Sequence, residues 1–227
     1  MTDDIRLAPQ RPAAVLWDMD GTLVDTEPYW LSAETELVRA WGGQWSHEDG
    51  LQLVGSSLDR SALILQSRGV ELPTDEIVDV LTDRVLSRLQ DAVPWRPGAR
   101  ELLEALHEAQ VPTALVTMSI RRMADHIAIA AGFPAFDIIV AGDEVTQGKP
   151  HPEPYLRAAM ALGVDAGDCI AVEDSEFGVA AAVASGATTI AVPLHVPLPP
   201  SPAYTLWSSL DGRGLDELFA VHGRVSR

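Results

Sequence analysis

Residues 13–22 read AAVLWDMDGT, five apolar positions broken off by two aspartates and a glycine. A run that short, ended by turn residues, predicts a buried strand with its polar tail at the carboxyl end. Four further runs repeat the pattern: TALVT at 113–117, DIIVA at 137–141, CIAVE at 169–173 and TTIAV at 188–192. Helical spacing fills 97–109, 120–131, 154–162 and 176–185, the last closed by Gly186. Strands alternating with helices predict an α/β fold, a Rossmann-like parallel sheet with helices on both faces.

One interval breaks the alternation, because the stretch between the first two strands is far longer than a crossover helix needs. Within it, residues 28–42 carry apolar Leu31, Leu37, Val38 and Trp41 at helical spacing. Further on, Thr74 reads as an N-cap with acidic Asp75 and Glu76 in the first turn, ahead of Ile77, Val78, Leu81, Val85 and Leu89. The expectation is an inserted helical cap domain at 28–93, set into an α/β core made of 1–27 and 94–227. Pro94 and Pro97 stiffen the return, and the two crossings form a hinge. After Val192 the proline-rich PLHVPLPPSP reads as packing and connection, followed by a short helix around 210–221.

The chain has 227 residues, 47% hydrophobic and 22% charged, which excludes a disordered class, and no apolar run approaches the ~18 residues of a membrane span. With 33 acidic against 16 basic residues, its formal charge is −17, which repels nucleic acid and anionic membrane surfaces. Cys169 is the only cysteine, so no internal disulfide forms, and the opening MTDDIRLAPQ lacks the apolar run of a signal peptide. A cytoplasmic monomer with a small-molecule partner is expected.

In an open parallel sheet, ligands bind beyond the carboxyl ends of the strands. The residues at the end of each apolar run are therefore informative: Asp18 and Asp20 after the first, Thr117 and Ser119 at the second, Glu173 and Asp174 at the fourth, and Lys149 in GKPHPEP after the third. Two carboxylates 4 Å apart repel by about 4 kcal/mol at an effective dielectric of 20. One lysine does not offset four of them. A hard divalent cation with oxygen ligands does, and few protein ligands with water and phosphate completing the shell favour magnesium over calcium. Gly21 permits a tight turn whose backbone amides face the same place.

In this order and at these strand ends, DMDGTLVDTE (18–27), Thr117, Lys149 and EDS (173–175) resemble the four motifs of the haloacid dehalogenase superfamily, in its helical-cap phosphatase and phosphomutase branch. The resemblance covers residues 13 to about 192. It implies that Asp18 is the nucleophile that forms an aspartyl-phosphate, and that Asp20 is the general acid and then the general base. It implies that Thr117 bonds the transferring phosphoryl group and that Lys149 neutralises its charge. Mg2+ would be bound by a side-chain oxygen of Asp18, the carbonyl of Asp20 and the side chain of Asp174, with Glu173 a direct or outer ligand. An acid at position 20 favours phosphate esters, since the family's dehalogenases lack one there and its ATPases typically have threonine.

The same resemblance leaves two catalytic readings. β-Phosphoglucomutase-like members have a cap histidine twelve residues after the nucleophile, where this chain has Trp30, and an arginine directly after a Gly-x-Ser turn, where VGSS (54–57) is followed by Leu58, with Arg60 two residues on. Hydrolysis of a small sugar phosphate or phosphoglycolate-like ester is therefore favoured over a sugar phosphomutase, and a non-catalytic protein that binds a phosphorylated ligand is the alternative of another class. Gly55, Ser56 and Ser57 are expected to face the substrate from the cap, and Met118, Ser119 and Arg121 from the core, Met118 replacing a common asparagine.

Plainer roles compete at several of these positions: turn or cap residues for Ser119 and Ser175, surface positions for Arg60 and Arg121, a loop residue for His151. Cys169 reads as a buried small hydrophobe, and Trp30, Trp41 and Trp45 as cap packing.

Overall fold

The computed structural model describes residues 11–90 and 92–225. The opening segment expected to carry no signal peptide lies outside them. All five apolar runs are strands: β1 (Ala14–Trp17), β2 (Thr113–Val116), β3 (Ile138–Val140), β4 (Cys169–Glu173) and β5 (Thr188–Ala191). They pair in parallel in the order β3-β2-β1-β4-β5. A two-residue strand, β6 (Thr205–Leu206), adds itself beyond β5 and corrects the expectation that the tail is connection alone. Two residues among prolines are too few to show a period.

β1 shows why both sheet faces are covered. Its four residues are fully buried; Ala14 and Leu16 enter one core with Tyr155, Ala158 and Ala181, while Val15 and Trp17 enter another with Leu102, Leu103 and Ile127. Successive strand side chains alternate faces, so each face needs its own helical layer. Those layers come from α5 (Ala99–Glu108), α6 (Arg121–Ala130), α7 (Glu153–Leu162), α8 (Glu176–Ala184) and α9 (Leu215–Val225).

The interval between β1 and α5 holds α1 (Glu27–Ala40), α2 (His47–Leu51), α3 (Leu58–Ser67) and α4 (Thr74–Leu89). Helices α1 and α3 both pack on α4. Helix α2 and helix α3 start at serines whose side chains accept backbone N–H bonds, Ser46 from Asp49 and Ser57 from Arg60. Thr74 is the first helical residue of α4 rather than its cap; Pro73 takes that place without a side-chain bond. Trp41, expected in the packing, is 40% exposed because α1 stops one residue before it, whereas Trp30 and Trp45 are buried.

The chain leaves and re-enters the core side by side. The Asp25 N–H donates to the Pro94 carbonyl at 2.9 Å, the Arg96 N–H to the Leu23 carbonyl at 2.8 Å, and Val24 and Trp95 form an antiparallel bridge. No helix among the described residues is long and apolar enough to cross a membrane.

Candidate active site

The strand order reverses between β1 and β4, and the crevice beyond their carboxyl ends is where such sheets bind ligands. Asp18 and Asp174 come directly after these two strands. Both are buried, and together with Glu173 they offer carboxylate oxygens within 4.8 Å of one another. Gly21, at φ +82°, makes the turn: a Cβ there would lie 2.1 Å from Asp174 Oδ2, so only glycine lets the turn and the carboxylate coexist.

Lys149 reaches this cluster from the loop after β3. Its ammonium group donates to Asp18 Oδ1 at 2.6 Å and to the Val116 carbonyl at 2.9 Å, and it pairs with Glu173 Oε1 at 2.6 Å. Glu173 is fully occupied: Tyr155 donates its hydroxyl at 2.6 Å, and Asp174 N–H and Ser175 Oγ reach its other oxygen at 3.1 and 3.4 Å. Asp18 Oδ2, in contrast, is buried and has no hydrogen-bond partner.

Burial first, and then the charge of Glu173, push the Asp18 carboxyl up to about 7 despite the pull of Lys149. Asp174 is raised well above the usual carboxylate range by burial and by repulsion from Asp18 and Glu173. Burial opposes the charge of Lys149, but Asp18 and Glu173 outweigh it and its pKa is raised, so the ammonium stays charged. One lysine thus leaves negative charge in excess. An orphaned, buried carboxylate oxygen beside Asp174 is a donor set that suits a hard divalent cation, and the satisfied Glu173 fits better as a support for the direct ligands than as one of them.

Asp20 stands two residues past Asp18, where a second carboxylate can face the same crevice. Its Oδ1 accepts from Thr26 Oγ1 at 2.5 Å and Trp30 Nε1 at 3.2 Å; its Oδ2 accepts from Ser119 Oγ at 2.8 Å and Thr117 Oγ1 at 3.3 Å. The Thr117 hydroxyl in turn accepts from the Ser119 N–H at 3.0 Å. The carboxylate is therefore held from both sides, by the helical insertion and by the end of β2.

A cavity lies between this floor and α1, the loop after α2, and α3. Asp18, Asp20, Thr117, Met118, Ser119, Lys149 and Asp174 line it, as do Gly55 and Ser56 from the insertion. Ser57 and Arg121 do not line it: Ser57 caps α3 beside a separate crevice, and the Arg121 guanidinium pairs with Asp125 at 2.8 Å and Glu144 at 2.9 Å.

Sequence reasoning missed Glu27, Glu34 and His195, which also line the cavity. Glu27, Trp30 and Glu34 fall at i, i+3 and i+7 of α1, one helix face, so the two glutamates were legible. His195 had no such signal. It arrives from the proline-rich loop after β5 and places Nε2 2.7 Å from Asp25 Oδ1.

Burial and neighbouring Asp20 push the Glu27 carboxyl up to about 7, and burial and Glu27 push Glu34 up to about 8 against the Trp45 indole N–H that donates to it at 3.0 Å.

Residues 12–186 match the model of the haloacid dehalogenase-like hydrolases. The chain is 30% identical to hexitol phosphatase B of Escherichia coli over 189 residues, covering 82% of this chain and 85% of that protein. It is 33% identical over 184 residues to the bifunctional riboflavin kinase/FMN phosphatase of Arabidopsis thaliana, covering 80% of this chain but spanning only 48% of that longer protein. Among solved structures, mutant CbbY from Rhodobacter sphaeroides in complex with xylulose-1,5-bisphosphate superposes with a TM-score of 0.80 at 28% identity, over 90% of this chain and 97% of that one. With four acidic and basic motif positions gathered at one sheet edge and the family pattern spanning most of its length, the chain belongs to the haloacid dehalogenase-like hydrolase family.

Proposed function

We propose that this chain is a Mg2+-dependent phosphatase that hydrolyses a small phosphate monoester through an aspartyl-phosphate on Asp18. The observation that carries the reading is the state of Asp18, whose one oxygen is fixed by Lys149 while the other is buried without a partner at the cavity floor. A carboxylate so held is a nucleophile aimed at one point.

Asp18 attacks phosphorus in line, forming the O–P bond as the ester O–P bond breaks. Asp20 gives its proton to the leaving alkoxide. It then takes a proton from water, whose oxygen attacks the phosphoryl group and frees Asp18 and inorganic phosphate. Thr117 and the backbone amides around Gly21 and Met118 orient the phosphoryl oxygens, and Lys149 holds the charge that develops on them. Bound by Asp18, the Asp20 carbonyl and Asp174, Mg2+ would supply a further positive charge to the phosphate oxygens.

Residues 28–93 act in this reading as a cap over a core of 1–27 and 94–227; Gly55, Ser56, Met118 and Ser119 contact the ester, while Ser57 and Arg121 are committed elsewhere. Leu58 in the cavity wall and Trp30 at Asp20 support hydrolysis over a mutase cycle, which must grip a second phosphate. The single, buried Cys169 supports a reducing cytoplasmic setting, and we read the enzyme as a monomer.

Phosphate release from small phosphomonoesters, measured with and without Mg2+, tests the proposal. Activity is expected in the wild type with Mg2+ and is lost in Asp18→Asn; an active Asp18→Asn variant rules out Asp18 as the nucleophile.

A further inference from the structure

We infer that Arg96 is a positioning residue of the metal site, a clamp that holds the ends of β1 and β4 at the spacing Mg2+ requires and so favours Mg2+ over the larger Ca2+. The inference rests on the Mg2+-dependent reading above and gives a role to a side chain outside the four motifs.

The proposed ligands ride on two separate strand ends, Asp18 and the Asp20 carbonyl after β1 and Asp174 after β4. The pairing of these strands runs to Trp17 and Val172, with one further bond from the Asp18 N–H to the Val172 carbonyl at 3.0 Å. Beyond it comes the turn at Gly21, φ +82°. Glycine has the widest conformational freedom of any residue, so such a turn keeps one shape only where its peptide groups are held.

Arg96 holds them. It is 7% exposed, and its Nη1 donates to the Gly21 carbonyl at 2.5 Å and to the Val192 carbonyl at 2.7 Å. The Val192 N–H donates in turn to the Glu173 carbonyl at 2.7 Å, one residue before Asp174. One guanidinium nitrogen thus ties the turn after β1 to the end of β4. Thr22, whose amide shares a peptide group with the Gly21 carbonyl, donates its hydroxyl to Asp174 Oδ1 at 3.4 Å. The Arg96 N–H donates to the Leu23 carbonyl at 2.8 Å, so the clamp is itself anchored to the turn it holds.

Charge alone predicts the opposite effect. Burial pulls the Arg96 guanidinium down from its usual range, against Asp174, Asp25 and Asp18, yet a guanidinium stays charged. A positive charge beside the site repels Mg2+ and Ca2+ alike, since both carry two charges. Geometry separates them: Mg2+ demands near-ideal octahedral placement at ~2.0–2.1 Å, whereas Ca2+ accepts a flexible shell at ~2.3–2.6 Å. A clamp on ligand spacing therefore matters more to Mg2+.

Two variants divide these effects. Arg96→Met removes clamp and charge together. Arg96→Lys keeps a cation on a shorter stem without the planar fork, and it carries the test if the methionine variant does not fold. Isothermal titration calorimetry on metal-free protein, without substrate, gives Kd for MgCl2 and for CaCl2. In both variants Kd for Mg2+ is expected to rise ~10-fold or more, the scale of lost outer support to a metal ligand. Kd for Ca2+ is expected to rise by ~3-fold or less.

A merely structural role lowers the melting temperature and leaves both Kd values unmoved, which overturns the inference. Equal weakening of the two ions overturns it as well. So does tighter binding of both to Arg96→Met with no change in Arg96→Lys, because charge then governs. A wild type that binds no Mg2+ removes the metal of the phosphatase reading together with the inference. Phosphate release from p-nitrophenyl phosphate is measured alongside: a wild type that binds Mg2+ but releases none fails as a phosphatase, while the Kd values still decide the role of Arg96.

Discussion

The indole N–H of Trp30 donates to Asp20 Oδ1 across 3.2 Å, joining the first turns of α1 to a carboxylate of the core that we propose as the acid and base of the reaction. Trp30 also packs into the apolar cluster that runs continuously from Trp17 and Met19 to Leu37 and Leu81. The sequence predicts packing alone for this side chain; it does both. An indole only donates and does not exchange its proton in the neutral range, so it orients Asp20 without itself taking part in proton transfer. Trp30→Phe keeps most of the packing and removes the donor. A hydrogen bond to a charged group contributes about 1.5–3 kcal/mol, so steady-state assays should show kcat reduced by ~10-fold or more with the protein still folded by circular dichroism.

Lys149 is 6% exposed and holds two carboxylates. Lys149→Met leaves Asp18 and Glu173 buried without their cation, a change of about 3–5 kcal/mol. Thermal melts in EDTA at pH 7 should fall by roughly 10 °C, and hydrolysis should be lost. Added Mg2+ is expected to recover part of the melting temperature in the variant but none of the activity.

Glu34 makes stability depend on pH. Its folded pKa is raised from 4.5 to about 8, so between those values the native state retains a proton that the unfolded chain releases. Where the native state binds more protons, stability falls as pH rises. The wild type should therefore lose melting temperature between about pH 5 and pH 8. Glu34→Gln should flatten that slope and melt higher than the wild type at pH 8 by at least about 2–4 °C, equivalent to roughly 1 kcal/mol. Equal slopes for the two proteins would contradict the burial argument.

Gly55 sits at φ +74° where the insertion meets the core, and a Cβ there would lie 2.4 Å from Ser175 Oγ. Gly55→Val cannot seat this loop without displacing the residue that caps α8. Misplacement of about 1 Å near a reacting centre lowers rates by ~100-fold; kcat/KM should drop on that scale, while the melting temperature should change by only about 5 °C.

Arg122 of α6 bridges to α4, pairing with Asp79 at 2.9 Å and with Asp83. These groups are exposed, and such pairs contribute about 0.2–1 kcal/mol each. Arg122→Ala should thus shift kcat/KM by no more than ~5-fold, and Arg122→Glu, which sets like charges against the same aspartates, should lower it further. Raising the salt concentration should shrink the gap between the two variants.

The sheet was readable because each of its five longer strands is a short apolar run ended by turn residues, and the chemistry at its edge because Asp18, Asp20, Lys149 and Asp174 each come after such a run. Helices α2 and α3 were not legible because α2 has five residues and α3 mixes Asp59, Arg60 and Gln66 among its apolar positions. The Glu27, Trp30 and Glu34 face was in plain view, but acids on a helix are ordinary until a cavity is known to lie against them. Arg121 carried its own clue, an aspartate four residues on at 125, the spacing of a helical ion pair. His195 and β6 depend on how a proline-rich loop crosses the sheet edge, a long-range path that local pattern does not encode.

Because Asp25 and Pro94 leave the core as hydrogen-bonded neighbours, the strands below register everything strung between them as a single closed loop, and closure entropy grows only with the logarithm of loop length. The segment strung between them can therefore be lengthened or rebuilt at modest entropic cost while the strands and the acidic floor beneath keep their places.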